Sequence, residues 1–289
     1  MITAKLISEL REMTSAGMMD CKEALTENNG DLQLAADWLR QKGIVKAAKK
    51  ADRVAAAGLV SAKKSECGKN GVIVELNVET DFVAKNEKFQ KLVSDATDKA
   101  LEFSGDFDAV VAAMDSDVKN AIATIGENMG IRRIKHLTGD YVATYVHNQM
   151  VPGMGQIGVV VALNGDLDKA TEMGPKIAMH IAATKPEFAT VADVDPAAAD
   201  RETKVFVESG KTEGKPAEVA EKMIAGNLKK WYGESVLVEQ PFVMEPGKTV
   251  GQILEESGLA LAGFAYYVLG SGIEKGEDNL ADEVAKMLK

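Results

Sequence analysis

Two stretches of this chain follow the same order of patterns, and that repetition limits the folds open to it. Gly58-Leu59-Val60-Ser61-Ala62 leads through a turn to Gly71-Val72-Ile73-Val74-Glu75-Leu76-Asn77 and then to a helical pattern. Tyr141-Val142-Ala143-Thr144-Tyr145 leads through a Gly-rich turn to Gly158-Val159-Val160-Val161-Ala162-Leu163-Asn164 and then to another. Both copies read strand, hairpin, strand, helix. The expected architecture is α+β, with a core of two related halves, each an antiparallel sheet covered on one face by helices. Val72 to Val78 is apolar at every second residue, which reads as a strand with one buried face. The helix after it carries Phe89, Leu92, Val93, Ala96 and Ala100 at spacings of three and four, with Asn86 as its N-cap. Val110, Val111, Met114, Val118, Ile122 and Ile125 mark a further helix of the first half, and Ala170, Met173, Ile177 and Ile181 the helix of the second.

Residues before the repeat read as a small helical bundle. Leu6, Ile7, Leu10 and Met13 form one apolar stripe, Ser15-Ala16-Gly17 interrupts it, and Met18, Cys21 and Leu25 form a second. Asp31 caps a third helix with Leu32, Ala35, Ala36 and Leu39 inward, and Gly43 is expected to stop it. After the second copy, Pro186 and Pro196 precede a helical segment, and Gly210, Gly214 and Pro216 form a turn region. Ala220, Met223, Ile224, Asn227, Leu228 and Trp231 then recur at helical spacing, so an inserted antiparallel helical hairpin is expected. The chain returns through Val236-Leu237-Val238 and Val250, Ile253 and Leu254 to finish the sheet with Gly263 to Leu269, and a last amphipathic helix carries Leu280, Val284 and Leu288. The expected divisions are 1–55 for the bundle, 56–140 for the first half, 141–186 with 233–269 for the second, 187–232 for the hairpin and 270–289 for a C-terminal module.

Composition excludes several function classes. With 46% hydrophobic and 27% charged residues the chain reads as a soluble globular protein. Its net charge of −10 argues against a protein whose task is gripping phosphate backbones, so no direct nucleic-acid partner is expected. The local exception, Lys42, Lys46, Lys49, Lys50 and Arg53, suits a solvated helix face or an electrostatic docking strip. No apolar run approaches the roughly 20 residues that span a bilayer, and Met1 to Lys5 lacks a secretory pattern, so a cytoplasmic protein without a membrane partner is expected. Cys21 and Cys67 form no CxxC pair, and His136, His147 and His180 stand in no metal-binding spacing, so no metal is expected. Ser209-Gly210-Lys211-Thr212 imitates a phosphate loop but has Val205 where the first glycine belongs, and Gly270-Ser271-Gly272 has Lys275 in place of its third. No cofactor and no catalytic residue are expected.

Thr80-Asp81-Phe82-Val83-Ala84-Lys85-Asn86 places a carboxylate beside a large ring, between the strand and the helix of the first copy. Two readings stay open. Phe82 tucks over the start of the helix as a hydrophobic staple with Asp81 complementing the dipole, or the two are presented on a firm turn for recognition.

Several stretches resemble one family in order along almost the whole chain: Met18-Met19-Asp20-Cys21-Lys22-Glu23-Ala24-Leu25, Lys46-Ala47-Ala48-Lys49-Lys50, Thr80 to Asn86, Ile125-Gly126-Glu127-Asn128, Ala182-Ala183-Thr184-Lys185-Pro186-Glu187-Phe188, Ala220-Glu221-Lys222-Met223, Gln240-Pro241-Phe242-Val243-Met244 and Gly272-Ile273-Glu274-Lys275. The family is bacterial translation elongation factor Ts, the guanine-nucleotide exchange factors of the GTPase elongation factor Tu. The resemblance implies an N-terminal three-helix UBA-like domain and a mechanism without covalent chemistry. Thr80, Asp81, Phe82 and Val83 are similar to the element that reaches the partner's nucleotide site and dislodges its Mg²⁺, with Phe82 as wedge and Asp81 as polar anchor. Met19 and Asp20 would make a first contact from the bundle, His147 would lie near the partner's surface, and the second half would meet a more distant domain. The segment Asn148 to Gly155 is expected to be a longer turn than the family's usual Gly-rich link. The hairpin leaves a homodimer or a 2:2 complex with the partner open. The alternative is a non-catalytic adaptor that binds nascent chains or the ribosome through residues 1–55.

Overall fold

The computed structural model describes residues 2–14, 16–48 and 50–274. Helices α1 (Ala4–Thr14), α2 (Met18–Glu27) and α3 (Leu32–Ala48) pack around Leu10, Cys21, Ala24, Leu25 and Ala35. Asp31 Oδ1 accepts the Leu34 N–H at 2.9 Å, the capping bond that its position predicts. Gly43 does not stop α3, which runs on to Ala48. Its missing side chain serves contact instead: a Cβ there would lie 3.0 Å from that of Ala123 on the helix Phe107–Ile125, where the bundle meets the core. Arg40 adds a hydrogen bond to Ser116 at 3.2 Å across the same seam.

The core begins with the hairpin β1 (Ala57–Lys64) and β2 (Asn70–Val78), followed by α4 (Asp81–Ala84), α5 (Glu87–Glu102), α6 (Phe107–Ile125) and the edge strand β3 (Met129–Thr138). The second copy is β4 (Tyr141–Val151), β5 (Met154–Gly165) and α7 (Leu167–Thr184), followed by α8 (Pro196–Glu208) and α9 (Ala217–Ser235). A small hairpin of β6 (Pro241–Phe242) and β7 (Glu245–Thr249), α10 (Val250–Glu256) and β8 (Leu259–Val268) complete it.

Six of the described strands form the main sheet in the order β3-β2-β1-β5-β4, with β8 also on β5, while β6 and β7 pair apart from it. Strand pairing crosses from one half to the other where Val60 and Ser61 face Gly155 and Met154. Beyond that joint β8 runs along β5, from Ile157 opposite Val268 to Gly165 opposite Leu259. Three apolar clusters show the layering. Val72, Val74, Leu76 and Val78 pack on α5 and α6 residues such as Phe89, Val93 and Val110. Val159, Val161 and Leu163 pack on Ile177 and Ile181 of α7 and on α10. Val60, Ala62 and Ile73 meet Val142, Val146, Val160 and Ala162 between the two strand layers. The layers come so close that a Cβ on Gly158 would stand 2.6 Å from Val60 Cγ1. β2 is therefore buried on both faces, not on one as its alternation suggests.

Other expectations change with the tertiary contacts. Val250, Ile253 and Leu254 belong to helix α10, capped by Thr249 and Gln252, and Val236 to Val238 enter no strand of the main sheet. The stretch from Asn148 to Gly155 is no long turn, because β4 and β5 extend the hairpin until Val151 opposes Met154. Pro152 and Gly153 alone make the reversal, with Gly153 at φ 77°. Leu280, Val284 and Leu288 lie outside the described residues.

Glu75 is fully buried on β2. Its carboxylate accepts from Arg133 Nε at 2.6 Å, Arg132 Nη1 at 3.0 Å, Gly270 N at 2.8 Å and Asn77 Nδ2 at 3.1 Å. Burial pushes the carboxyl up, but the Gly270 N–H, Arg133 and Asn77 outweigh it and hold it below the usual carboxylate range. His180 on α7 is buried too, with Nδ1 accepting the Val243 N–H at 3.2 Å and Nε2 2.9 Å from Gln240 Oε1. That pattern defines a neutral ring protonated on Nε2, and burial lowers its proton affinity, against the opposing pull of Gln240.

Glu75→Ala should cost about 3 kcal/mol of stability by urea unfolding, since it leaves two arginines partly buried without their partner. Because the folded carboxyl titrates below its unfolded value of about 4.3, the stabilisation is present above that pH and is lost as pH falls through the folded value. Wild type and Glu75→Gln should therefore converge in acid. For His180, depressed below about 6.5, stability should be complete above that pH and decline beneath it, and the non-titrating His180→Gln should flatten its share of the slope.

Candidate partner-binding site

Thr80 leaves the end of β2 in an extended conformation, and Asp81–Ala84 then make a single helical turn. The pair expected on a loop thus sits on α4. At about 100° per residue a four-residue turn must divide its side chains between two sides. Val83 and Ala84 point inward and join the cluster that holds Leu59 and Phe89. Asp81, Phe82 and Lys85 are left outside. Phe82 is 77% exposed, so its ring is not a staple over α5, whereas Val83 is only 8% exposed and faces its own core. Lys85 Nζ stands 5.8 Å from the centre of the Phe82 ring.

The turn is held at both ends. Asn86 Oδ1 caps α5 by accepting the Lys88 N–H at 2.9 Å, and Gln90 Nε2 donates to the Ala84 carbonyl at 3.2 Å. At the other end Glu127 accepts twice from Thr80, from the N–H at 2.9 Å and the hydroxyl at 2.7 Å. Glu79 accepts the Asn128 N–H at 2.5 Å and meets Arg53 at 3.4 Å, and Asn128 Nδ2 reaches the Arg53 carbonyl at 2.7 Å. Sequence reasoning assigned no role to Glu79, Glu127 or Asn128. The available signal was that Glu127 and Asn128 belong to the matched segment Ile125 to Asn128 and that Glu79 directly precedes the matched segment Thr80 to Asn86.

The remaining candidates lie on separate elements. Met19, in the first turn of α2, is 73% exposed, and the half-buried Asp20 borders a cleft of about 250 Å³ between the bundle and α6. His147 is exposed on β4, with Nδ1 3.1 Å from the Tyr145 hydroxyl. Among the described residues no group of His, Cys, Asp and Glu could hold a metal ion, and no helix is long and apolar enough to cross a membrane.

The exposed ring thus stands on a turn braced by Glu127 at one end and by α5 at the other. A family model described as Elongation factor TS matches residues 79–271. Proteins named Elongation factor Ts are similar over almost their entire lengths. The one from Hyphomonas neptunium is 54% identical, covering 100% of this chain and 98% of its own. That from Paracoccus denitrificans is 52% identical over 99% and 98%, and that from Roseobacter denitrificans 49% over 100% and 99%. The chain belongs to the elongation factor Ts family.

The inside–outside division of α4 predicts opposite responses in urea unfolding. Phe82→Ala should leave stability within about 0.5 kcal/mol of wild type, as for other exposed positions. Val83→Ala should lower it by about 1–2 kcal/mol, because the lost methyl groups leave a gap beside Leu59 and Phe89.

Proposed function

We propose that this protein acts by inserting Phe82 into its partner. As a member of the elongation factor Ts family it is a guanine-nucleotide exchange factor that promotes GDP release from elongation factor Tu during translation elongation. The observation that carries the mechanism is the 77% exposure of Phe82 on a turn whose base is fixed by Glu127 and Glu79. A ring already outside its own core gains burial on insertion, of order 2 kcal/mol, and that energy is available to separate packed elements of the partner. Mg²⁺ in a GTPase bridges the phosphates and the switch elements, so displacing its ligands removes a large electrostatic part of nucleotide binding. Asp81 anchors and steers the turn, Thr80 holds its base, and Val83 fixes it from the inside. No covalent step and no cofactor of its own are involved.

Exchange then follows from linkage. A protein that prefers the nucleotide-free GTPase weakens nucleotide binding by the same factor by which nucleotide weakens its own. GDP leaves, and GTP displaces the exchange factor.

In the same reading the UBA-like bundle docks on the GTPase domain through Met19 and Asp20, and the second half, with His147, meets a more distant domain. The hairpin of α8 and α9 serves a homodimer or a 2:2 complex, and the protein works in the cytoplasm. Family membership does not favour the adaptor alternative, in which residues 1–55 alone would carry function.

Phe82→Ala should slow the release of a fluorescent GDP analogue from elongation factor Tu by roughly 30-fold, the equivalent of about 2 kcal/mol. Its far-UV circular dichroism should be unchanged. Release at the wild-type rate would reject Phe82 as the wedge.

A further inference from the structure

We propose that Glu127 is a positioning residue for the Phe82 turn, acting through Thr80. The ladder between β2 and β3 ends where Val78 opposes Met129. Continued in register, it would set Glu79 opposite Asn128 and Thr80 opposite Glu127. The main chains part here, because Thr80 leads into α4 while Gly126 ends α6 in a left-handed conformation, φ 91°. Two carboxylates bridge the gap in place of main-chain carbonyls. Glu79 takes the N–H of Asn128, one residue beyond the last rung of β3, at 2.5 Å, and Glu127 takes that of Thr80, two residues beyond the last rung of β2, at 2.9 Å.

The two halves of this clasp are unequal. Glu79 also faces Arg53, and Asn128 holds the Ala51 and Arg53 carbonyls, so that half ties in the chain arriving from the bundle. Glu127 places both of its oxygens on one residue, Thr80. Paired charge-assisted bonds to an N–H and a hydroxyl of the same residue fix its direction as well as its place. Four residues of helix do not hold themselves together in water, so the aim of α4 is set by what grips its ends. Glu127 grips the end next to Asp81 and Phe82. It touches neither partner nor nucleotide in this role; it decides where the ring points.

This inference rests on the wedge reading above, and the test separates the two. GDP-analogue release from elongation factor Tu is followed over a range of exchange-factor concentrations, giving a saturating rate and a half-saturating concentration. Glu127→Ala should lower the saturating rate by about tenfold while moving the half-saturating concentration by less than about threefold, the signature of a misaimed group in an otherwise intact surface. Glu127→Gln should recover most of the rate, since its carbonyl can accept the Thr80 N–H while its amide donates to the Thr80 hydroxyl. Thr80→Val, which removes the hydroxyl bond alone, should lose a smaller part of the rate and carries the test if Glu127→Ala fails to fold. A wild-type saturating rate in folded Glu127→Ala overturns the proposal, as does a loss confined to the half-saturating concentration or a Gln variant as slow as the Ala variant. If Glu127→Ala fails to fold, a wild-type rate in Thr80→Val overturns it. Phe82→Ala in the same assay tells which idea has failed: slow release there beside fast release in Glu127→Ala removes only the positioning role, whereas fast release in Phe82→Ala removes the wedge itself.

Discussion

A carboxylate with no exposed surface, Glu75, holds the two halves of this molecule to each other. An ionised side chain in such a place is costly unless every oxygen is occupied, and here two arginines, one amide and one main-chain N–H occupy them. The partners come from three places. Asn77 lies on β2 itself, Arg132 and Arg133 lie on β3, and Gly270 follows β8 of the second half. The arginines extend the link, donating to the Ser271 and Val268 carbonyls at 2.6 and 3.0 Å, and Arg133 lies 4.0 Å from the centre of the Tyr267 ring. A slip of β2 by one residue would turn Glu75 toward the apolar face of α5, so the charge helps to specify the register.

That register reaches the turn that carries Phe82. β2 is the strand whose end delivers Thr80, and β3 is the strand whose start delivers Glu127 and Asn128. With their pairing set at Glu75, the clasp at the far end of the ladder has one geometry, and the direction of α4 follows from it. Phe82 can then stay in water without loosening the fold, because Val83 and Ala84 bury the same turn from the other side. Presentation and anchoring are thus separate tasks given to adjacent residues.

Much of the fold was legible because its signals are local. The repeat of strand, hairpin, strand and helix is β1-β2-α5 followed by β4-β5-α7, and the caps at Asp31 and Asn86 stand where side-chain chemistry puts them. The misreadings have separate causes. Gly43 has the composition of a helix stop, yet it is needed for close contact with Ala123. β3 has no clean alternation, since most of its residues are half-buried at the edge of the sheet, and so it left no period to detect. Val250, Ile253 and Leu254 have helical spacing and form α10, although they lie on the path by which the chain returns to the sheet. At the site, the motif Thr80 to Asn86 was visible and its brace was not, because nothing in the order of residues pairs Glu127 with Thr80, 47 positions away.

The amino-acid order by itself determined the helices and strands with strong periods and the segment that resembles the family's recognition element. Each depends on residues a few positions apart, and such neighbours are fixed by the covalent chain. Only the tertiary structure decided that Phe82 faces water while Val83 does not, that the strand layers stack and bury both faces of β2, and that Thr80 hangs from Glu127. Those outcomes rest on contacts between residues 47 positions apart at the clasp and 195 apart at Glu75 and Gly270. No local pattern records such a pairing, because it exists only once the intervening chain has folded.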